Sequence, residues 1–381
     1  MTEPPQETCF VNSSCSAIDG MKRFSHEAMA TTFEVIIVHE DERYASQAAV
    51  AAFDEVDRLE RELSRFIENS DIARINSAGA NQPLQLGLDT FECLKIAVRM
   101  YAETNGAFDV TIGTLLKCWR NDDGTPRRPS PSQIDIARLH TGTNLLQLDE
   151  AEHTVRLSAS PVQIDLGGIG KGYAVDRVAE LLRDWSIDVA LISGGYSSVL
   201  ALDAPPGKKG WPLTLTDPAG QKEILARPFL QKAALSGSGV QKGGHIIDPR
   251  TVQPVEGRLA AWSSAPDAAT ADALSTAFMI MGLDEIEKYC SLHPNTVAMV
   301  ILDASSPLGM KKMPLQPDSS PSLQPDSSPH LHPDSSPSLH PDSSLHLHPD
   351  SSPHLHPERS PHLHPERSRR VRFGAWEKLI D

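Results

Sequence analysis

Up to residue 302 the apolar positions switch between a strand period and a helical period, and the switches mark out the elements. Residues 24–39 predict a first strand region, with Phe33, Val35, Ile36, Ile37 and Val38 as its apolar part. Residues 45–64 predict a helix, with Ala48, Ala51, Phe53, Val56, Leu59 and Leu63 inward and acids and arginines outward. Ser70 has the side chain of an N-cap for a short helix through Ile75, and residues 91–104 predict another that Asn105-Gly106 stops. Residues 110–119 continue apolar, whereas 122–132, rich in proline, arginine and glycine, read as a mobile loop.

Residues 145–148 and 154–157 read as a hairpin. Val162, Ile164 and Leu166 then alternate like a strand entering a core. Four glycines and Lys171 follow, and Ala174, Val175, Val178, Ala179, Leu181 and Leu182 take helical spacing. Residues 189–193 predict a buried strand before Gly194-Gly195. Further strands fall at 199–202 and 211–216, with a turn around Pro205-Pro206-Gly207 between them. Residues 233–236 are short and apolar until Gly237-Ser238-Gly239 interrupts them. Residues 243–251 make an unusual strand-and-turn, 268–290 predict one helix, and 297–302 predict a strand.

From 315 to 368 the pattern changes. An eight-residue unit, Leu-His-Pro-Asp-Ser-Ser-Pro-His at its fullest, recurs from Leu315, Leu323, Leu331, Leu339, Leu347, Leu355 and Leu363. Two prolines in most units exclude regular helix, and too few apolar side chains remain for a core. Nine of the fifteen histidines sit here. Histidine-rich tracts can bind metal ions, but a repeat-expanded disordered insert is the reading adopted. The tail 369–381 regains Val371, Phe373, Trp376 and Leu379 and is expected to pair beside 297–302. The repeat would then be a loop extruded from a hairpin, which is tolerable because closure cost rises slowly with length. The chain thus divides into a disordered tail 1–20, a folded domain 21–313, the repeat 314–369 and a returning strand 370–381.

Composition narrows the field. With 381 residues the chain can bury a substantial core, and its net charge of −15 argues against nucleic acid as a partner. Cys9, Cys15, Cys93, Cys118 and Cys290 include no Cys-x-x-Cys pair, which suggests neither a disulfide framework nor a zinc site. Residues 1–20 are polar, without a basic start or an apolar run of signal-peptide length, and Cys15 follows no such run. No stretch is apolar enough to span a membrane. The chain is expected to be cytoplasmic.

Chemistry concentrates in three places. A strand, a glycine turn and a helix start can face backbone N–H groups and a helix dipole towards an anion, and Lys171 adds positive charge. Phosphate binding and a purely steric turn both remain open there, since the spacing is neither a Walker loop nor Gly-x-Gly-x-x-Gly. Asp272 and Thr276, four residues apart, share one helix face and can hold a hard cation through oxygen. The alternative is an acid favoured by the helix dipole and a threonine packed in the core. His245, in its Gly-Gly-His-Ile-Ile-Asp-Pro turn, is a candidate base or a structural histidine. Together a phosphate cradle, a cation face and a base favour a phosphate-handling enzyme.

These residues carry a family resemblance. Asp165-Leu166-Gly167-Gly168-Ile169-Gly170-Lys171-Gly172-Tyr173, the turn His245-Ile246-Ile247-Asp248-Pro249-Arg250-Thr251 and Asp272-Ala273-Leu274-Ser275-Thr276-Ala277 resemble the ApbE family. Glu27-Ala28-Met29-Ala30-Thr31-Thr32-Phe33, Leu63-Ser64-Arg65-Phe66 and Gly106-Ala107-Phe108-Asp109 fit it in the same order, so the resemblance covers 24–302. It implies an α+β, T-fold-related, two-lobed fold with the flavin nucleotide in the inter-lobe cleft. It also implies the activity of an FAD:protein FMN transferase. The FMN half of FAD moves onto a Ser or Thr hydroxyl of an acceptor protein, AMP leaves, and Mg²⁺ is required, with Mn²⁺ equally suited to oxygen ligands.

Carried over by position, the resemblance gives Asp272, Thr276 and the carbonyl of Gly168 to the metal. It gives Met29, Phe66, Ala107, Phe108, Asp109, Asp165 and Lys171 to FAD, with His245 and Ile247 lining the same cleft. Lys171 would neutralise the pyrophosphate, and His245 or Asp272 would accept the hydroxyl proton. Two other readings stand beside this one: hydrolysis of FAD to FMN and AMP, and a flavin-binding or metal-storing protein without catalysis. The chain departs from the family pattern with Ala30 where Gly is usual, Gly170 for a common Ala, Phe66 for a frequent Tyr, and Tyr196 for a small or amide side chain.

Overall fold

Strand pairing in the computed structural model follows chain order. It describes residues 18, 20–121, 124–216, 223–240, 246–303 and 368–380, with the backbone of 11–13. The strands are β1 (Met21–Ala28), β2 (Thr31–Val38), β3 (Ala190–Gly194), β4 (Ser198–Ala201), β5 (Ala233–Gly239), β6 (Arg258–Ala265), β7 (Val297–Asp303) and β8 (Ser368–Phe373). They lie side by side in that sequence as one eight-stranded antiparallel sheet. The helices are α1 (Glu42–Leu63), α2 (Asp71–Ser77), α3 (Leu88–Glu103), α4 (Gly113–Trp119), α5 (Pro131–Leu139), α6 (Gly170–Asp184), α7 (Ala268–Phe278) and α8 (Leu283–Leu292), with a last turn at Glu377–Ile380.

The continuous apolar run of β2 is shared between two layers. In β2, Val35 and Ile37 enter one core and Ile36 the other, all three buried. The first core fills the space beneath α1, α3, α6 and α7. On the opposite face Ile36, Leu191, Leu235, Trp262 and Met299 meet Trp211, Leu213 and Leu215 of a small antiparallel sheet, together with Trp376. Helices on one face and strands on the other give the expected mixed α+β architecture. Among the described residues no helix is long and apolar enough to cross a membrane.

Caps fix the helix ends. Asp41 Oδ1 accepts the Arg43 and Tyr44 amides at 2.9 and 3.1 Å, and Ser70 Oγ accepts the Ala73 amide at 2.9 Å. Asn105 and Gly106 both take positive φ and end α3 where the sequence places the stop.

Several expectations need correction. Val162, Ile164 and Leu166 enter the core as expected, but 162–166 form no ladder beyond a single parallel bridge between Gln163 and Ile112. The Asn76 side chain makes both hydrogen bonds that a neighbouring strand would make to Ile164, accepting its amide at 2.5 Å and donating to its carbonyl at 3.0 Å. Gly237-Ser238-Gly239 does not interrupt β5; it pairs with Trp262, Ala261 and Ala260 of β6. The single helix expected over 268–290 is two. The chain turns between Phe278 and Leu283, where the buried Arg258 guanidinium bonds the carbonyls of Phe278 and Met281. Part of the expected loop 122–132 starts α5, with Ser130 and Gln133 forming a capping box.

Two expected boundaries also move. Val11–Ser13, inside the stretch expected to be a disordered tail, pairs antiparallel with Trp211–Thr216. The returning strand β8 starts at Ser368, inside the boundary drawn for the repeat, and pairs antiparallel with β7. The repeat itself, up to residue 367, lies outside the described residues.

Candidate functional site

The glycine turn delivers α6 onto α7 backbone to backbone. A Cβ on Gly172 would drive into the Ala268 carbonyl and lie 2.8 Å from Asp272 Cβ, so only glycine allows this approach. In its place the Gly172 amide donates to Asp272 Oδ2 at 3.1 Å. Lys171 Nζ stands 3.6 Å from the same oxygen and donates to the Gly167 carbonyl at 3.3 Å. The hold is reciprocal. Asp176 of α6 accepts the Ala268 and Ala269 amides at 2.7 and 2.8 Å, capping α7 from outside. Burial pushes the Asp176 carboxyl up to about 7, against the pull of those two amides.

Thr276 lies one turn further along α7. A Cβ on Gly168 would sit 3.0 Å from Thr276 Oγ1 and 3.3 Å from Phe108 Cε2, so turn backbone, hydroxyl and ring converge. Asp272 is only 3% exposed. Among the described residues no group of three or more His, Cys, Asp or Glu is placed to hold a metal. A cation here would rest on one carboxylate, one hydroxyl and a backbone carbonyl, completed by water and phosphate oxygen. That all-oxygen set with a single carboxylate fits Mg²⁺, which is commonly held that way.

A more open rim adjoins this buried wall. Asp165 Oδ1 accepts the Gly167 amide at 2.7 Å, and its Oδ2 lies 3.1 Å from Arg65 Nε. The Arg65 guanidinium sits 4.4 Å from the centroid of the Phe66 ring, which is 82% exposed. Phe66 is therefore tied to the glycine turn through Arg65 and Asp165 alone among these contacts.

Ala107 and Phe108 are buried, the Phe108 ring beside Gly168; the other candidates separate. Asp109 Oδ1 accepts the Thr111 amide and the Thr111 and Thr143 hydroxyls at 2.8, 2.7 and 2.8 Å. Burial raises its pKa, and the carboxylate is occupied in folding its own turn. Met29 is the first of two left-handed residues in the β1–β2 turn and packs partly against the main core. Ile247 is enclosed in a satellite core with Leu115, Cys118, Ala137 and Val252, so its side chain lines no open cleft. His245 lies outside the described residues.

The profile of the ApbE family matches residues 29–301, which takes in β2 to β6, most of β7 and helices α1 to α8 but neither edge strand. The chain belongs to the ApbE family. It is 27% identical over 311 residues to the FAD:protein FMN transferase of Salmonella typhimurium, covering 77% of this chain and 87% of that one. The Haemophilus influenzae FAD:protein FMN transferase is 25% identical over 310 residues, covering 76% and 89%. Among solved structures, the ApbE protein of Thermotoga maritima superposes with a TM-score of 0.67 at 28% identity, over 74% of this chain and 94% of that one. The apo flavinyl transferase ApbE of Pseudomonas stutzeri shares the fold at a TM-score of 0.67 and 24% identity, covering 74% and 91%.

Sequence reasoning missed several residues of this ApbE site. Asp176 is not singled out by the apolar spacing of its helix, and only the approach of α7 gives it a task. Ser238 falls in the glycine stretch expected to interrupt β5, and Ser275 falls inside the Asp272–Ala277 motif without a role of its own. A hydroxyl between two glycines inside a strand was the available signal, since such glycines often mark close approach of another backbone.

Proposed function

We propose that this chain transfers the FMN half of FAD to a Ser or Thr hydroxyl of an acceptor protein, releasing AMP. The observation that carries the reading is the meeting of Lys171 and Asp272, a hundred positions apart in the chain, at 3.6 Å across a glycine turn. Membership of a family whose relatives bear that activity in their names supports it.

The acceptor oxygen attacks the phosphorus of the FMN half. The bond from that phosphorus to the bridging pyrophosphate oxygen breaks, and the bridging oxygen leaves on AMP. Lys171 holds negative charge on the pyrophosphate, with the start of α6 behind it. A Mg²⁺ ion on Asp272, Thr276 and the Gly168 carbonyl would neutralise charge that grows on the phosphate oxygens. Phe66 offers a stacking face at the rim, and the Phe108 ring closes the wall beside Gly168. Asp272 or His245 takes the hydroxyl proton. Asp272 is held for either role by the Gly172 amide.

The test is to incubate the purified chain with FAD, Mg²⁺ and candidate acceptors, following AMP and the mass of the acceptor. AMP together with acceptor carrying FMN supports transfer. AMP with unlabelled acceptor and soluble FMN points to the pyrophosphatase, and neither product refutes both.

A further inference from the structure

Three hydroxyls stand in a row beside α7, and counting their protons gives the row a direction. Ser238 is on β5, whereas Ser275 and Thr276 are neighbours on α7. Ser238 Oγ is 2.8 Å from Ser275 Oγ and 3.2 Å from Thr276 Oγ1. Ser275 donates to the Asp272 backbone carbonyl at 2.9 Å; Thr276 Oγ1 is 3.4 Å from that carbonyl, a weaker contact. Each hydroxyl owns one proton. Ser275 spends its proton on the carbonyl, so the 2.8 Å contact requires Ser238 as donor. Ser238 then has none left, and the Thr276 proton, 3.2 Å from Ser238 Oγ and 3.4 Å from the Asp272 carbonyl, goes to the nearer acceptor. The row runs from Thr276 to Ser238 to Ser275 and ends on the backbone of Asp272.

This order turns the Thr276 proton towards β5 and leaves its oxygen lone pairs uncommitted, with the Gly168 backbone alongside. A hydroxyl that ligates a cation needs that arrangement, since a donor aimed at its oxygen would compete with the ion. We infer that Ser238 and Ser275 are positioning residues that hold the Thr276 hydroxyl as an acceptor towards the divalent cation. The inference rests on the metal site proposed above. Neither serine touches the ion in this scheme; they act through Thr276, and the last link returns to the residue that supplies the carboxylate. Partners of this kind commonly change metal affinity by about 10–100-fold when removed.

The experiment counts free Mn²⁺ by electron paramagnetic resonance in titrations of the full chain without FAD. Ser238→Ala is expected to weaken Mn²⁺ about tenfold, because the Thr276 proton loses its acceptor. Ser275→Ala is expected to weaken it comparably, because Ser238 loses its own acceptor and reverses to donate onto Thr276. The double variant should be no weaker than Ser238→Ala, since the reversed donor is gone. Ser238→Thr keeps the hydroxyl and should keep the affinity. Thermal melts of the metal-free variants establish that each is folded. Additive losses in the double variant, or wild-type Mn²⁺ affinity in folded Ser238→Ala, would make the row a packing feature and overturn the inference. Wild-type protein that binds no Mn²⁺, or Asp272→Asn that binds it normally, would overturn the metal site itself and the serines' role with it.

Discussion

The two walls around the glycine turn are built to opposite specifications. The α6–α7 wall is over-determined: Gly172 admits the contact, its amide holds Asp272, and Asp176 returns two hydrogen bonds to α7. The rim wall reaches Phe66 only through the Asp165–Arg65 ion pair, a ring contact and a bond from the Phe66 amide to Ser64 Oγ, and the Phe66 ring stands in solvent. Under the proposed function, groups that would meet developing charge are placed on the rigid side, where their positions are fixed before substrate arrives. Groups that would grip a planar ring are placed where they can adapt. The contrast implies that function and stability are entangled on one wall and separable on the other.

The sharpest break of that contrast is Asp272→Asn. The amide keeps the volume and an acceptor for the Gly172 N–H, so the fold should survive, while the charge is lost. Turnover with Mg²⁺ should fall about 10³-fold, or ~4 kcal/mol in the barrier, as measured by AMP release. Wild-type turnover would remove Asp272 from the chemistry. Gly172→Ala comes next and acts on the fold. Its methyl meets backbone at Ala268, which cannot swing aside, so denaturant unfolding should show a loss of about 3 kcal/mol. A loss below about 0.5 kcal/mol would mean that the helices part easily, and the rigid wall would lose its premise.

Phe66→Ala addresses the other wall. With 82% of the residue exposed, its removal should shift stability by less than about 0.5 kcal/mol. FAD affinity should nevertheless drop about tenfold, ~1.4 kcal/mol, if the ring stacks on the ligand. Fluorescence titration with FAD reads the second quantity and a thermal melt the first. Unchanged affinity would leave the rim without a binding role.

How much of this the sequence showed depends on how local the cause was. The Ser70 cap, the Asn105-Gly106 stop and the apolar run in β2 are local, and the structure has them as read. The pairing of β8 with β7 is non-local, yet Val371 and Phe373 after a long apolar-poor stretch pointed to a return. Failures came where a partner from elsewhere replaced the local signal. Asn76 satisfies Ile164 in place of a strand, and Arg258 draws carbonyls out of what reads as one continuous helix. At the site, the sequence named Lys171, Gly168, Asp272 and Thr276, which the fold does assemble. Ile247 packs in a satellite core instead of beside these four, and an apolar residue beside a motif looks the same in sequence whether it lines a cleft or fills such a core.

The smallest effect sits at the β1–β2 turn and sharpens what the flexible side is for. Met29 and Ala30 take φ of 51° and 57°, a left-handed pair that suits Asn-Gly in a tight hairpin and neither residue present. Holding alanine there costs about 1–2 kcal/mol, whereas glycine gives back about 0.5–1 kcal/mol through the freedom of the unfolded chain. Ala30→Gly should therefore gain only about 0.5 kcal/mol, a rise of about 1 °C in the melting temperature. FAD affinity should not change, because the substitution relaxes backbone without removing a side chain that the ligand would meet. Met29→Asn relaxes the turn in the same way but removes the thioether. If Met29 touches FAD, that variant will melt higher than wild type and bind FAD more weakly. Matched gains in stability with matched FAD affinity in both variants would mean that the strained pair serves no ligand, and Met29 would leave the site.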